Sequence, residues 1–241
     1  MHPLCPLRFN TVQRFLLMYN KKMEMIQMFV QQRMTGNPIT ITSTSTIADA
    51  SELMRTNKFR RLPVVDNGKL VGLVTDRDLR EVAPSPATTL SIFELNYLLA
   101  KMQIKDIMQR KVITIQSDAT VEEAALLLYN HRIGGLVVVD GQGVVSGVIT
   151  ETDIFKCFVD VMGLLEGKTR LTIDATDKIG LLHEITGVFA ELSINICSMV
   201  SYTLPDGQIE YVIRADIFET KELSERLAAM GHPIKHIAYI K

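Results

Sequence analysis

"ITITSTSTIADASELMRTNKFRRLPVVD" (39–66) and "ITIQSDATVEEAALLLYNHRIGGLVVVD" (113–140) stand 74 residues apart and agree at 11 of 28 positions. Several other positions exchange like for like, such as Ile47 for Val121. One extra residue in "DGQGVVSG", set against "DNGKLVG", moves the offset to 75. Gly72, Thr75 and Asp78 then fall on Gly147, Thr150 and Asp153. Self-similarity over this length marks an internal duplication, and it decides the architecture of the first two thirds of the chain.

Each copy reads in the same order. A short strand (39–41; 113–115) leads into a Ser/Thr/Asp-rich turn. Apolar residues at Ile47, Ala50, Leu53 and Met54, or Val121, Ala124, Leu127 and Leu128, then recur at the spacing of one helix face. Buried strands are expected at 62–65 and 136–139, turns at Asp66-Asn67-Gly68-Lys69 and Asp140-Gly141-Gln142-Gly143, and second strands at 70–74 and 144–149. Thr-x-x-Asp then opens another helix. Two β-α-β-β-α units of this size have little core each and are expected to pack against one another. Between them, "EVAPSPATTLS" carries Pro84 and Pro86 and reads as a connection. Ile92, Leu95, Leu99 and Met102 predict a helix after it, with Ser91 and Glu94 at capping-box spacing.

"GLLEGK" (163–168) is the next boundary, and beyond it the pattern changes. "TRLTIDATD" alternates as a strand, "GLLHEITGVFAELS" reads as a helix and "INICSMVSYTL" as a strand. "PDG" signals a hairpin into "QIEYVIRADIF", then come a helix in "TKELSERLAAMG" and a last strand in "IKHIAYI". The order β-α-β-β-α-β is the ferredoxin-like plan, so the fold class is α/β (α+β) throughout.

Bulk composition narrows the function classes. Of 241 residues, 47% are hydrophobic and 22% charged, which suits a chain with real cores. A formal net charge of −1 gives no electrostatic reason to expect nucleic acid or an anionic membrane as partner. Cys5, Cys157 and Cys197 form no CxxC pair and read as the reduced thiols of a cytoplasmic protein. No apolar run reaches the ~18 residues of a membrane span. Residues 1–27, rich in Met and lacking a cleavage signature, are expected to be an extension outside the folded core.

The duplicated unit, with its "RLPVVDNGKLVGLVTDRDL" ending, resembles the CBS domain, and two in tandem resemble one CBS pair. The C-terminal segment, with "DATDKIGLLHEITGVFAELSINI", resembles an ACT domain, a small amino-acid-sensing module. A CBS pair followed by an ACT domain is similar to the acetoin-utilisation type of regulatory protein. The boundaries expected on this basis are 1–27 for the extension, 28–83 for the first CBS domain and 84–103 for the connecting segment. The second CBS domain takes 104–162 and the ACT domain 168–241. These modules cover the chain without leaving a stretch for a catalytic domain.

Thr75/Asp78 and Thr150/Asp153 have two readings. Their [ST]-x-x-[DE] spacing ahead of a helix is that of a capping box, as it is for Thr46/Asp49 and Thr120/Glu123. The resemblance adds a cleft, in which the Asp accepts from the ribose hydroxyls of a bound adenosyl nucleotide and the Thr and helix N–H groups face ribose and phosphate. It implies a first site of Ile39, Thr40, Arg60, Arg61, Leu62, Pro63, Thr75, Arg77 and Asp78. A second site takes Ile113, Thr114, Arg132, Gly134, Gly135, Leu136, Thr150 and Asp153. Lys58, Arg60, Arg61 and Arg77 suit a polyphosphate such as ATP or ADP at the first site, or are a solvated basic face. Gly134 and Gly135 stand where the first copy has arginines, leaving His131, Arg132 and Lys111. That composition suits AMP or S-adenosylmethionine at the second site.

In "TDKIGLL" (176–182), Gly180 permits a tight turn whose N–H groups could receive an amino-acid carboxylate. The resemblance implies a site of Asp177, Ile179, Gly180, Leu181 and Asn195 at a dimer interface. The plainer alternative is that Asp177 caps the helix, Asn195 completes a turn, and the module only dimerises. His183-Glu184 lacks the second His of a zinc-protease motif, because position 187 is Gly. His232 and His236 have metal-like spacing but no Cys or acidic partner in the sequence nearby. No nucleophile signature is present, so neither catalytic residues nor a metal site are expected, and no obligatory cofactor. The reading is a homodimeric regulatory protein that senses an adenine nucleotide or S-adenosylmethionine, and an amino acid, and controls a partner enzyme. A nucleotide-hydrolysing enzyme and a ligand-free dimerisation scaffold are the alternatives.

Overall fold

The computed structural model describes residues 28–82, 101–164, 169–205 and 207–239. The expected extension over 1–27, the Pro84/Pro86 connection, the helix through Ile92, Leu95 and Leu99, and the end of "GLLEGK" lie outside the described residues. The chain divides into two units, residues 1–154 and 155–241.

In the first unit, α1 (Val30–Arg33) and β1 (Thr35–Gly36) precede α2 (Ile47–Asn57), β2 (Arg61–Asp66), β3 (Lys69–Thr75) and α3 (Asp76–Val82). A 3-10 turn (Ile104–Asp106) leads into β4 (Thr114–Gln116), α4 (Val121–His131), β5 (Gly135–Val139), β6 (Val145–Thr150) and α5 (Glu151–Val161). The β2–β3 hairpin closes on Asn67 and Gly68, whose φ values of 51° and 76° suit the right-handed twist of the strands. Both long helices start on the predicted boxes. Thr46 Oγ1 accepts from Asp49 N at 3.1 Å while Asp49 accepts from Thr46 N at 2.9 Å. Thr120 and Glu123 repeat the arrangement. Each helix ends on a left-handed residue, Lys58 or Arg132.

One predicted strand differs. Ile113–Ile115 is displaced by one residue, and its counterpart at 39–41 is reduced to a single parallel bridge between Ile41 and Val64. The physical reason lies just upstream, where Pro38 has no N–H for a ladder and Asn37 is left-handed at φ 47°.

The segments leading into the two repeats are exchanged. Val30 N donates to Ala119 O and Gln31 N to Ser117 O, while Val121 N donates to Met28 O. At the equivalent positions Ile104 N donates to Ser45 O, Lys105 N to Ser43 O, and Ile47 N to Met102 O. Strand β1 pairs with β6 of the second repeat, and Gln109 bridges to Leu73 of the first. Val30 therefore belongs to a core with Ile115, Leu128, Leu136 and Ile149. Ile104 and Met108 join Ile41, Ile47, Leu62 and Val74. The small residues fit this exchange: a Cβ at Gly72 would meet Met108 Sδ at 2.5 Å, and one at Gly147 would meet Met34 Sδ at 2.2 Å.

The second unit holds the end of α5, then β7 (Thr169–Thr176), α6 (Leu181–Glu191), β8 (Ile196–Thr203), β9 (Gln208–Ala215), α7 (Lys221–Ala229) and β10 (Ile234–Tyr239). This is the predicted β-α-β-β-α-β order. The sheet runs β10-β7-β9-β8, antiparallel at every step. Leu171, Ile173, Tyr211 and Ile213 meet Leu181, Ile185, Phe189, Leu223 and Leu227 of the helices in one core. Arg214, between Ile213 and Ala215, points to the other face. It is only 4% exposed, and its Nε and Nη1 have no hydrogen-bond partner among the described residues.

Candidate functional site

Because the leading segments are exchanged, the chain must cross between repeats twice, at 37–40 and at 110–113. Each crossing floors a pocket. The larger pocket, about 350 Å³, is lined by Pro38 and Ile39 of the first crossing, by Lys58, Phe59, Arg60, Arg61 and Pro63, and by Thr150, Glu151 and Thr152 of the second repeat. The smaller, about 140 Å³, is lined by Lys111, Val112 and Ile113 of the second crossing, by Ile133, Gly134 and Gly135, and by Leu73 and Thr75 of the first repeat. The structure thus regroups the residues read from the sequence. Ile39, Arg60 and Pro63 share a pocket with Thr150, not with Thr75, while Arg61 and Gly134 line both. Ile113, Gly134 and Gly135 share theirs with Thr75.

Four further placements differ from the sequence reading. Leu62 and Leu136 are fully buried in the two cores and form no pocket wall. Thr40, Asp78, Thr114, Arg132 and Asp153 line neither pocket, with Arg132 exposed as a helix cap and each Asp bonded to a Thr that does. Arg77 is turned to solvent, with an exposed guanidinium that bonds Glu81 at 2.9 Å, and this partner raises its pKa. Arg61, read as a group of the first site alone, lines both pockets.

The doubled Thr-x-x-Asp caps its helix with one carboxylate oxygen and leaves the other over. Asp78 Oδ2 accepts from Thr75 N and Thr75 Oγ1, both at 2.7 Å, and Asp153 Oδ2 accepts from Thr150 N at 2.8 Å and Oγ1 at 2.7 Å. Asp78 Oδ1 takes a longer bond, 3.3 Å, from Gln109 Nε2. A half-buried carboxylate with one oxygen committed to the cap can still accept from a hydroxyl beside the pocket. Capping and ligand contact are therefore compatible at the level of single atoms.

Arg61 carries the electrostatics. Burial lowers its pKa, opposed by Glu151, Asp76 and Asp153, so the guanidinium stays cationic in a partly desolvated position. Its tip lies on the backbone of the two glycines: a Cβ at Gly135 would fall 1.5 Å from Nη1, and one at Gly134 would fall 3.0 Å from Nη2. Those glycines bring no charge themselves, but they admit a charge from the other repeat. The signal for this was the pairing of Arg60-Arg61 with Gly134-Gly135 at the same place in the two copies.

In the second unit, Gly180 is the left-handed N-cap of α6, at φ 87°, and among the described residues no side chain caps that helix. Asp177 is exposed and is not the cap, correcting that alternative. Ile179 is fully exposed and Leu181 is buried in the core. Asn195 lies just before β8, where its carbonyl accepts from Asp216 N. Register separates the two halves of the proposed amino-acid site. Thr176 pairs with Gln208 at one end of β9, and Ile196 pairs with Ala215 at the other. Thr176, which leads to Gly180, and Ile196, which follows Asn195, are therefore about 23 Å apart along the sheet in one chain, at about 3.3 Å per residue. His232 is buried and bonds Glu184 at 3.2 Å, and Lys178 bonds the same carboxylate at 2.7 Å. An acidic partner for His232 exists after all, brought by α6 from 48 residues away.

The family model of the CBS domain matches residues 30–85 and 104–160, and that of the ACT domain matches 169–232. A CBS domain-containing protein of Dictyostelium discoideum is 33% identical over 138 residues, covering 57% of this chain and 95% of the relative. Of several further relatives the chain spans less than half the length. Among solved structures, a Vibrio cholerae protein assigned to acetoin utilization is 30% identical over 58% of this chain and 97% of its own, with TM-score 0.48. CBSX2 of Arabidopsis thaliana in complex with AMP is 27% identical over 55% and 97%, with TM-score 0.46. The chain belongs to the CBS domain-containing proteins and carries a CBS pair followed by an ACT domain.

Proposed function

We propose that the chain is a non-catalytic sensor that binds adenosyl nucleotides in the two pockets of its CBS pair and signals their occupancy to a partner protein in the cytoplasm. The observation that carries this reading is the Thr of a Thr-x-x-Asp cap in the lining of each pocket. Thr150 lines the larger pocket with Ile39, Phe59, Pro63 and cations, Thr75 lines the smaller with Val112, Ile113 and cations, and each Thr is bonded to the Asp three residues on. A diol, a flat base and a phosphate are the groups that such a site accepts together. The larger pocket lies within the ~300–1,000 Å³ usual for small-molecule sites and has Lys58, Arg60 and Arg61, which favours the more highly charged nucleotide. The smaller pocket has Lys111 and a share of Arg61 and favours AMP or S-adenosylmethionine.

Nucleotide-stripped protein titrated calorimetrically with AMP, ADP, ATP and S-adenosylmethionine tests this. Binding is expected in the parent, with one event lost in Asp78→Ala and the other in Asp153→Ala. Silence toward all four ligands would reduce both motifs to helix caps. Mg-dependent ATP turnover, abolished in an Asp variant, would favour an enzyme. The ACT unit is proposed to take an amino acid between two copies of the chain, since Gly180 and Asn195 are at opposite ends of one sheet.

A further inference from the structure

Arg61 is the side chain common to both pockets, and its position is shared in a way that its charge cannot be. It leaves β2 of the first repeat and ends on Gly134 and Gly135 of the second. The larger pocket has two other cations, Lys58 and Arg60, whereas the smaller has Lys111 alone. Glu151, Asp76 and Asp153 act on the guanidinium through space, but among the described residues no hydrogen bond or close ion pair holds it. A guanidinium presents one rigid fork of donors, so it can grip one phosphate in two-pronged fashion but not two phosphates in separate cavities.

We propose that Arg61 is a shared anion contact that sets the two pockets against each other for phosphate-bearing ligands. A phosphate in the larger pocket draws the guanidinium off Gly134 and Gly135. The smaller pocket then faces its own anionic ligand with only Lys111. The reverse order works the same way, because coupling between two binding sites is reciprocal. A ligand without a phosphate makes no claim on Arg61 and escapes the antagonism. This inference rests on the nucleotide reading of the pockets.

The test uses the full chain, stripped of nucleotide, with AMP and adenosine as probes. The affinity of the smaller pocket for AMP is measured alone, in Asp153→Ala, and with the larger pocket filled, in the parent. The expected result is that filling weakens it about tenfold, a usual size for coupling between sites. In Arg61→Gln the two values should agree within about twofold, and adenosine should show no gap in either chain. Gly135→Ala is a second probe that leaves Arg61 in place: its methyl occupies the position of Nη1, so AMP binding in the smaller pocket weakens and the gap shrinks. An undiminished gap in Arg61→Gln, or no gap in the parent, would overturn the coupling while leaving the pockets as nucleotide sites. Absence of AMP and adenosine binding in the parent would overturn the nucleotide reading and the coupling with it.

Discussion

Thr75 and Thr150 each join a helix cap to the lining of a pocket. Each donates its backbone N–H and its hydroxyl to one oxygen of the following Asp. Thr75→Ala and Thr150→Ala should each lower unfolding free energy by about 1 kcal/mol, the usual cost of a lost cap, as read by urea denaturation. A loss near zero would show that the caps are not holding these helices. Arg214 makes the opposite case. Its buried Nε and Nη1 lack acceptors among the described residues, and burial together with Arg170 lowers its pKa. An unpaired buried charge is destabilising, so Arg214→Met should raise the melting temperature. A fall would mean that the guanidinium has a partner in the assembled protein.

Among elements, the local pattern was legible and the long-range pairing was not. Helices α2 and α4, the hairpins and the ACT order follow from periodicity and turn chemistry, which are properties of neighbouring residues. The exchange of leading segments is a choice of which copy buries Val30 and Ile104, and periodicity is indifferent to that. A signal was present, since Met28, Val30 and Met34 continue the 74-residue offset onto Met102, Ile104 and Met108. It extends the repeat upstream but does not say which core receives it. Gly72→Ala and Gly147→Ala probe the exchange, because each methyl would press on the methionine of the incoming segment. Overpacking of this kind costs about 1–3 kcal/mol in denaturant unfolding. Gly72 should cost more, since the backbone carbonyl of Gln109 also lies 3.1 Å from the added atom. Equal, negligible losses would argue that these segments are not docked as described.

Helix α6 offers a pH test at the same scale. Hydrogen bonds from Lys178 and then His232 hold the Glu184 pKa below its ordinary 4.5. A carboxylate lowered on folding contributes stability that is present above its unfolded pKa and is lost as pH falls through the folded value. Stability of the chain should therefore fall below about pH 4.5 in part through Glu184, and Glu184→Gln should flatten that part of the profile. An unchanged acid limb would place the titration elsewhere.

For the whole molecule, composite sites follow from the duplication. The two crossings at 37–40 and 110–113 make each pocket a joint product of both repeats, so the Thr-x-x-Asp of one copy serves the walls of the other. A copy-by-copy grouping sets Arg60 with Thr75, whereas the pocket linings set Arg60 with Thr150. The amino-acid site proposed for the ACT unit would likewise need two copies of the chain, since Gly180 and Asn195 lie at opposite ends of one sheet. An amino-acid response should accordingly weaken as the protein is diluted toward monomer, with sedimentation followed in parallel. A response independent of assembly would mean that one chain holds the whole site.

AMP titrations of Arg60→Ala, Asp78→Ala, Asp153→Ala and the two double variants containing Arg60→Ala test the crossed pockets most directly. Residues that share a site show coupled effects, whereas distant ones add. Arg60→Ala and Asp153→Ala should weaken the same binding event and combine non-additively, while Arg60→Ala and Asp78→Ala should act on different events and simply add. Coupling of Arg60 with Asp78, and independence from Asp153, would contradict the crossed arrangement and return each pocket to a single repeat.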